Sequence, residues 1–380
     1  MDFEFNEEQK MFREAIRDFA EKDIAPLVNE AEVKVRFPAH LFPHMGQLGY
    51  LCPKYPAELG GGGLGKMGDC ILVEEVARVC VGISAALIIQ SGLATAAMFA
   101  HGREEQKKKY LMPAITGKKI GAFGLTEANA GSDVAAIQTT ATRSGKGYTL
   151  NGSKMFITNG PIADYVIVAA YTDKSKGAKG GISLFILDKD TPGYTFRPLV
   201  KVCFRSSETA ELSFDNCSIP AENLIGEEGR GFPYIMETLA DGRISHAARS
   251  LGLAQAALEA SLKYSQERVQ FGQPIAKFQA TSFKLARMAM ELEAARWLVY
   301  HAAWLIDRGE SCLKEASMAK LFASEMAVKA ANEAMQIHGG YAFMMDSAIQ
   351  RYFRDSRLFT ITEGTSEIQQ MVIAREIGLR

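Results

Sequence analysis

Little in this 380-residue sequence points outward. Neither sign of charge is in excess: 43 Lys and Arg stand against 44 Asp and Glu, a formal net charge of -1. That balance gives no global pull toward nucleic acid or an anionic membrane. An anionic small ligand must therefore be met by local basic residues. Cysteine is sparse and dispersed. Cys52, Cys70, Cys80, Cys203, Cys217 and Cys312 form no CxxC pair, and no Cys/His spacing fits a zinc site or other metal centre. Such thiols read as reduced, which suits an intracellular compartment. The His residues are scattered too, and each reads as a core or surface residue. No apolar run approaches the roughly 18–20 residues needed to cross a bilayer. The opening MDFEFNEEQK is acidic and enters a helical pattern at once, unlike a signal or transit peptide. A soluble, cytoplasmic protein is the expectation, although a mature organellar protein would look similar. GxGxxG and GxxxxGK[ST] are both missing, so neither a Rossmann fingerprint nor a P-loop is indicated.

What is present falls into three textures. Asn6 and Gln9 form a capping-box pattern, after which Phe12, Ala15 and Phe19 recur at helical spacing. Helical patterns continue to about residue 118, interrupted by the turn PAELGGGGLG. DYVIVAAYT, GISLFILD and AELSFDNCSI are short β-rich runs, with KSKGAKGG and DKDTPG as loops beside them. Helical periods then return. Met288, Leu292, Ala295, Val299, Ala302 and Ile306 form one stripe, and Ala319, Ala323, Met326, Ala330, Ala334 and Ile337 a second. The expected organisation is an α+β multidomain chain. It has a helical domain over 1–120, a β domain over 121–230 and a helical bundle over 231–380.

Four stretches could carry chemistry. FGLTEANAGSDV, Phe123 to Val134, has small residues and hydroxyls that admit a ligand close to the backbone; alone it is also simply a loop. NGSKMFITNG sets an aromatic and a Thr on a strand-like segment. In ERVQFGQPIAKFQ, Arg268 could meet a phosphate and Phe271 a planar ring, or they are a helix-end Arg and a core Phe. QIHGGYAF precedes FTITEGTSEIQQ, where Glu363 stands between Thr362 and Gly364.

Together with PAELGGGGLG, RSSETAELSFDN and IPAENLIGEEGRGF, these stretches resemble the acyl-CoA dehydrogenase family over essentially the whole chain. The resemblance implies an N-terminal helical domain, a middle β domain, a C-terminal four-helix bundle, bound FAD and a homotetramer. It implies that Phe123, Leu125 and Thr126 line the flavin, with Gly131 and Ser132 beside them, and that Ser132 also touches the CoA arm. Phe156, Ile157 and Thr158 would cover the other flavin face. Arg268 and Phe271, with Gln279 nearby, would hold the pyrophosphate and adenine end of a neighbouring subunit's FAD. Gln336, Gly339, Gly340, Thr365 and Glu367 would complete the site.

Glu363 matches the family's catalytic base. Dehydrogenating a saturated thioester removes an α-proton and a β-hydride together. By the resemblance, hydrogen bonds to the thioester carbonyl come from a flavin ribityl hydroxyl and the Glu363 backbone N–H, and flavin N5 takes the hydride. A carboxylate in a dry pocket is a stronger base than one in water. Gly364 would let the backbone approach the ligand. Some branches of the family carry the base at the position of Gly242, which cannot take a proton. Arg243 matches an Arg near the substrate. The family's usual Asp at the pantetheine arm is Ala240 here, and either Asp241 replaces it or that hydrogen bond is missing.

The family's frequent Tyr before the base is Thr362 here, which should widen the site. Gly92, Ala94, Thr95, Ala96 and Ala97 are small, leaving room for a bulky acyl group or serving close helix packing. Ser91 and Thr95 are candidate substrate contacts; a hydroxyl at Ser91 would be a poor base. Lys179, in the loop with Lys174 and Lys176, meets CoA phosphates or is simply solvated. The expected activity is FAD-dependent α,β-dehydrogenation of a short, branched or alicyclic acyl-CoA, such as cyclohexanecarbonyl-CoA. Electrons would pass to an electron-transfer flavoprotein. A straight short-chain substrate, an oxidase and a catalytically silent flavoprotein are the alternatives; oxidases of this type have longer chains.

Overall fold

The computed structural model describes residues 4–379. The capping box forms as its sequence predicts: the Asn6 side chain accepts from Gln9 N–H at 2.8 Å and the Gln9 side chain returns the bond at 3.1 Å. It starts the helix Glu7–Phe19. Arg13 and Arg17 of that helix hold the buried Glu75 of helix Gly65–Val79, at 2.6 and 3.0 Å.

After Gly65–Val79 the chain runs helically from Val81 to His101. This stretch corrects the expectation of no spanning-length apolar run. An 18-residue window of this 21-residue stretch has a mean hydropathy of 1.7, enough to cross a membrane by length and composition. That window is 78% buried inside the fold, where apolar character serves packing instead. Within it Ile89–Leu93 forms a π-turn, a geometry that often marks functional sites.

The middle of the chain is a mixed sheet of β1 (Gly121–Gly124), β2 (Thr140–Ser144), β3 (Gly147–Thr158), β4 (Tyr165–Tyr171), β5 (Ile182–Asp188), β6 (Tyr194–Pro198), β7 (Thr209–Pro220) and β8 (Leu224–Ile225). Its order is β6-β7-β3-β2-β4-β5-β8, with β1 pairing in parallel with β4. Both faces of β4 and β5 are buried, which explains their near-continuous apolar sequences. KSKGAKGG lies in the hairpin connection between the antiparallel β4 and β5, and it is locally ordered. Asp173 accepts the Ser175 N–H at 3.0 Å, and two short helical turns follow, Lys174–Lys176 and Gly177–Gly181.

Helices Gly231–Glu267, Gln279–Asp307, Leu313–His338, Ala348–Phe359 and Ser366–Glu376 complete the chain. The two predicted stripes face the interior. Every member is buried except Ile306, which packs against the same core from its edge. Gly252 shows how close the helices come: a Cβ there would lie 2.2 Å from the Glu74 carbonyl.

One buried ion pair ties the loop after β1 to β3. Lys154, fully buried, donates to Glu127 at 2.7 Å and to the Leu125 carbonyl at 3.0 Å. Burial lowers the Lys154 ammonium to about 8 despite its partner. Lys154→Met strands the Glu127 charge, and is expected to cost about 3–5 kcal/mol in urea unfolding. The double change Lys154→Met with Glu127→Leu should recover much of it. A single variant as stable as the parent would show that the pair contributes nothing.

Candidate active site

After Phe359 the chain makes a left-handed turn, with φ of 56° at Glu363 and 93° at Gly364. A non-glycine residue is held there only when its surroundings over-determine it. Lys320 Nζ donates to the Gly364 carbonyl at 2.6 Å. Gln369 Nε2 donates to the Glu363 and Gly364 carbonyls at 3.2 and 3.0 Å. Thr365 then caps the next helix by accepting the Ile368 N–H at 3.3 Å. Position 364 needs glycine for its φ and its packing, since a Cβ would lie 2.6 Å from Gln369 Nε2. Thr362 bonds back to the Leu358 carbonyl at 3.2 Å.

The turn presents one carboxylate. The Glu363 side chain is only 10% exposed, and its Oε2 has no hydrogen-bond partner among the described residues. Its backbone N–H also lacks an acceptor among them. Gly242 faces it directly. A Cβ at 242 would sit 2.6 Å from Glu363 Oε2 and 3.2 Å from Leu93 Cδ2. Arg243 is buried beside it, with Nε unpartnered; burial lowers its guanidinium although Glu363 opposes that shift. Burial likewise brings the fully buried Lys320 down to about 8, against the attraction of Glu363.

The acyl side departs from expectation at three residues. Ser91 donates to Asp69 at 2.9 Å, and Thr95 is held by Tyr55 at 2.8 Å and the Gln90 carbonyl at 2.9 Å. Both hydroxyls are buried and committed inside the protein. Asp241 is not a free acceptor for a pantetheine arm, because Lys54 and Lys66 grip its two oxygens at 2.6 and 3.0 Å. Burial opposes its ionisation, yet the two lysines win and hold it below the usual carboxylate range. Ala94 and Ala97 are packed, as close helix contact requires. Gly92 is different: a Cβ there would meet nothing within 4 Å.

The two flavin segments lie together. Met155 N–H donates to the Thr126 carbonyl at 2.8 Å. Phe156, at φ 63° within a β-bulge, is 67% exposed, and Thr158 beyond it is half-buried. Ile157 points into the sheet core and can offer a ligand only its backbone, which corrects its expected place on a flavin face. Phe123 and Leu125 are buried in the core, Thr126 is half-buried, and Gly131 and Ser132 are exposed. Gln90 joins this region to the π-turn by accepting the Gly121 N–H at 2.8 Å.

Arg268, Gly339 and Gly340 meet in a separate cleft of 590 Å³, with Tyr264, His338 and Tyr341. Phe271 projects from the neighbouring ribbon, 94% exposed, and Gln279, Gln336 and Glu367 are exposed as well. Lys179 is exposed on its helical turn. Gly242 lies about a third of the way along helix Gly231–Glu267 and Arg268 just past its end, about 39 Å apart at 1.5 Å per residue.

A buried unpartnered carboxylate, a bare aromatic loop and a distant basic cleft on this fold make comparison with known proteins decisive. Residues 6–118, 122–217 and 229–378 match the N-terminal, middle and C-terminal domains of acyl-CoA dehydrogenase. This chain belongs to the acyl-CoA dehydrogenase family. It is 47% identical to a probable acyl-CoA dehydrogenase, YngJ, of Bacillus subtilis, over 99% of this chain and 100% of that one. Butyryl-CoA dehydrogenase from Megasphaera elsdenii superposes with a TM-score of 0.96, at 43% identity, over 99% and 100% of the two chains. A chain from a study of the electron transferring flavoprotein of Acidaminococcus fermentans gives 0.97 at 45% identity, over all of both chains. Members of the family are FAD flavoproteins. The exposed Phe156 face and the glycine-lined basic cleft fit the two ends of such a cofactor.

Sequence reading placed Arg243 near the substrate but missed His246, Arg249 and Lys320 beside Glu363. Arg243, His246 and Arg249 recur every third residue on one face of a buried helix, and Lys320 lies three residues before Ala323 of the second stripe. Charges on apolar faces were the available signal. Gly242→Ala is expected to push the Glu363 carboxylate aside and lower kcat about 10²-fold. CoA-ester affinity should change much less. Undiminished kcat would mean that the carboxylate is free to move.

Proposed function

We propose that this chain dehydrogenates a short, branched or alicyclic acyl-CoA to its 2-enoyl-CoA. We infer further that it works as a cytoplasmic homotetramer and passes electrons to an electron-transfer flavoprotein. The observation that carries the chemistry is the unpartnered Glu363 Oε2, buried against Gly242. It accepts the α-proton. The Glu363 N–H, lacking an internal acceptor, donates to the thioester carbonyl, where negative charge gathers as that proton leaves. Bound FAD supplies the acceptor for the β-hydride. Phe156, Thr158 and the Thr126 loop would hold its flavin, and Arg268, Gly339 and Gly340 its far end.

The open space at Gly92 and the short Thr362 side chain support a wide acyl group. The packed Ala94 and Ala97 favour a short one, so a straight short chain is the competing reading. The separation of about 39 Å along the helix between Gly242 and Arg268 supports a cofactor shared between subunits. The relative from the electron transferring flavoprotein study supports that acceptor, and free thiols at all six cysteines suit the cytoplasm.

Glu363→Gln should retain FAD and CoA-ester binding while kcat falls about 10²–10⁴-fold. Full turnover in that variant would remove Glu363 from the mechanism. Among butyryl-, isobutyryl-, octanoyl- and cyclohexanecarbonyl-CoA, kcat/KM should be highest for the branched or alicyclic esters. A preference for butyryl-CoA would select the straight-chain reading, and one for octanoyl-CoA would sink both.

A further inference from the structure

We propose that Arg249, aimed by His246, is a positioning cation that keeps Glu363 ionised and ready to take a proton. The inference rests on Glu363 being the base.

The hydrogen bonds fix the state of His246. Its Nε2 lies 3.0 Å from the Phe359 carbonyl, which can only accept, so Nε2 carries the hydrogen. Nδ1 is then a lone pair, and it accepts from Arg249 Nη2 at 2.6 Å. The same Nδ1 lies 3.6 Å from Glu363 Oε1. A neutral imidazole is thus wedged between the base and a guanidinium. Burial, reinforced by Arg249, brings His246 down to about 4, so it stays neutral at ordinary pH.

Arg249 is a costly residue to bury. It is 4% exposed and its Nε has no partner among the described residues. The Phe204 and Phe359 rings hold its guanidinium, at 4.9 and 5.6 Å, without neutralising it. Two carboxylates feel its charge, Glu363 first and Asp355 second. Burial, with help from Glu32, pushes Asp355 up to about 7, so it is only partly charged at neutrality. Glu363 is the stronger of the two influences on Arg249.

The groups facing Glu363 are His246, Arg243 and Arg249 from helix Gly231–Glu267, and Lys320 from Leu313–His338. One carboxylate therefore stands among three buried cations. Their positive charge also suits the negative charge that develops on the thioester as the α-proton leaves.

The sign of the pH effect follows. Burial lowers Arg249 only to about 10, so it is charged throughout the working range. Removing that charge makes the ionised carboxylate less favourable, and the acid limb of the kcat/KM profile must move to higher pH.

The test compares the FAD-loaded parent with Arg249→Gln, Arg249→Lys and His246→Leu. In Arg249→Gln the acid limb is expected to shift upward by about one pH unit, roughly a tenfold change in proton concentration. Arg249→Lys should hold the limb near the parent's position, because the charge remains. His246→Leu, which frees Arg249 from its acceptor, should move the limb in the same direction as Arg249→Gln. An infrared carboxylic-acid band that disappears in Glu363→Gln gives a second readout without turnover, and it should persist to higher pH in Arg249→Gln. If Arg249→Gln fails to fold, judged by FAD content and thermal unfolding, His246→Leu decides the matter. An unmoved limb in the folded variants overturns the proposal, as does a limb that moves equally in Arg249→Lys and Arg249→Gln. A fully active Glu363→Gln instead removes the base itself, a separate failure.

Discussion

The chemistry of this protein hangs on one strained turn. Glu363 has a left-handed backbone, which costs a non-glycine residue about 1–3 kcal/mol. Lys320 and Gln369 offset that cost by donating to the two turn carbonyls. Both come from helices that flank the turn, so the bundle itself sets the position of the carboxylate. The same geometry leaves the Glu363 N–H without an internal acceptor. The unpartnered carboxylate and the unpaired N–H therefore belong to one residue, and neither can be moved without the other.

Gly242 makes the second constraint. Its missing side chain is what lets the carboxylate lie against helix Gly231–Glu267. The immediate neighbours on that helix, Asp241 and Arg243, point to different electrostatic surroundings. Asp241 belongs to a paired group with Lys54, Lys66 and Asp69, two charges of each sign. Arg243 belongs to the cationic surroundings of Glu363. One helical turn thus divides a neutral polar region from a positive one.

How much of this was legible in the sequence depended on whether a signal was periodic or local. The capping box, the two bundle stripes and the β-rich middle follow from short-range rules, and the structure contains them. Glu363 and Gly242 were found through motif resemblance, and the structure sets them face to face. What sequence could not supply was the partner of each polar group. Ser91 and Thr95 looked free because Asp69 and Tyr55 are distant in the chain. Asp241 looked available because nothing local shows that Lys54 and Lys66 reach it. Ile157 was placed on a ligand face through its motif, while the β-bulge between Lys154 and Ile157 shifts the phase of β3 and turns it inward. Scattered His residues read as bland, yet His246 touches the base, because only the fold reveals that three-residue spacing on a buried helix aims at one point.

The division of charge also bears on what an acyl group can be. Lys66 spends its donors on Asp69, Asp241 and Ser245, and Asp69 is satisfied by Lys66, Ser91 and Ser245. A group so fully paired has little to offer a ligand. A further carboxylate placed against this group would find both lysines already paired, and burying a charge without a partner costs several kcal/mol. An apolar ring or branch loses nothing comparable, since it asks for no partner and gains from leaving water. The lysines beside Asp241 are thus already committed to carboxylates on that side of the helix. The cations around Glu363 serve the other end of the molecule, where charge appears only as the reaction proceeds.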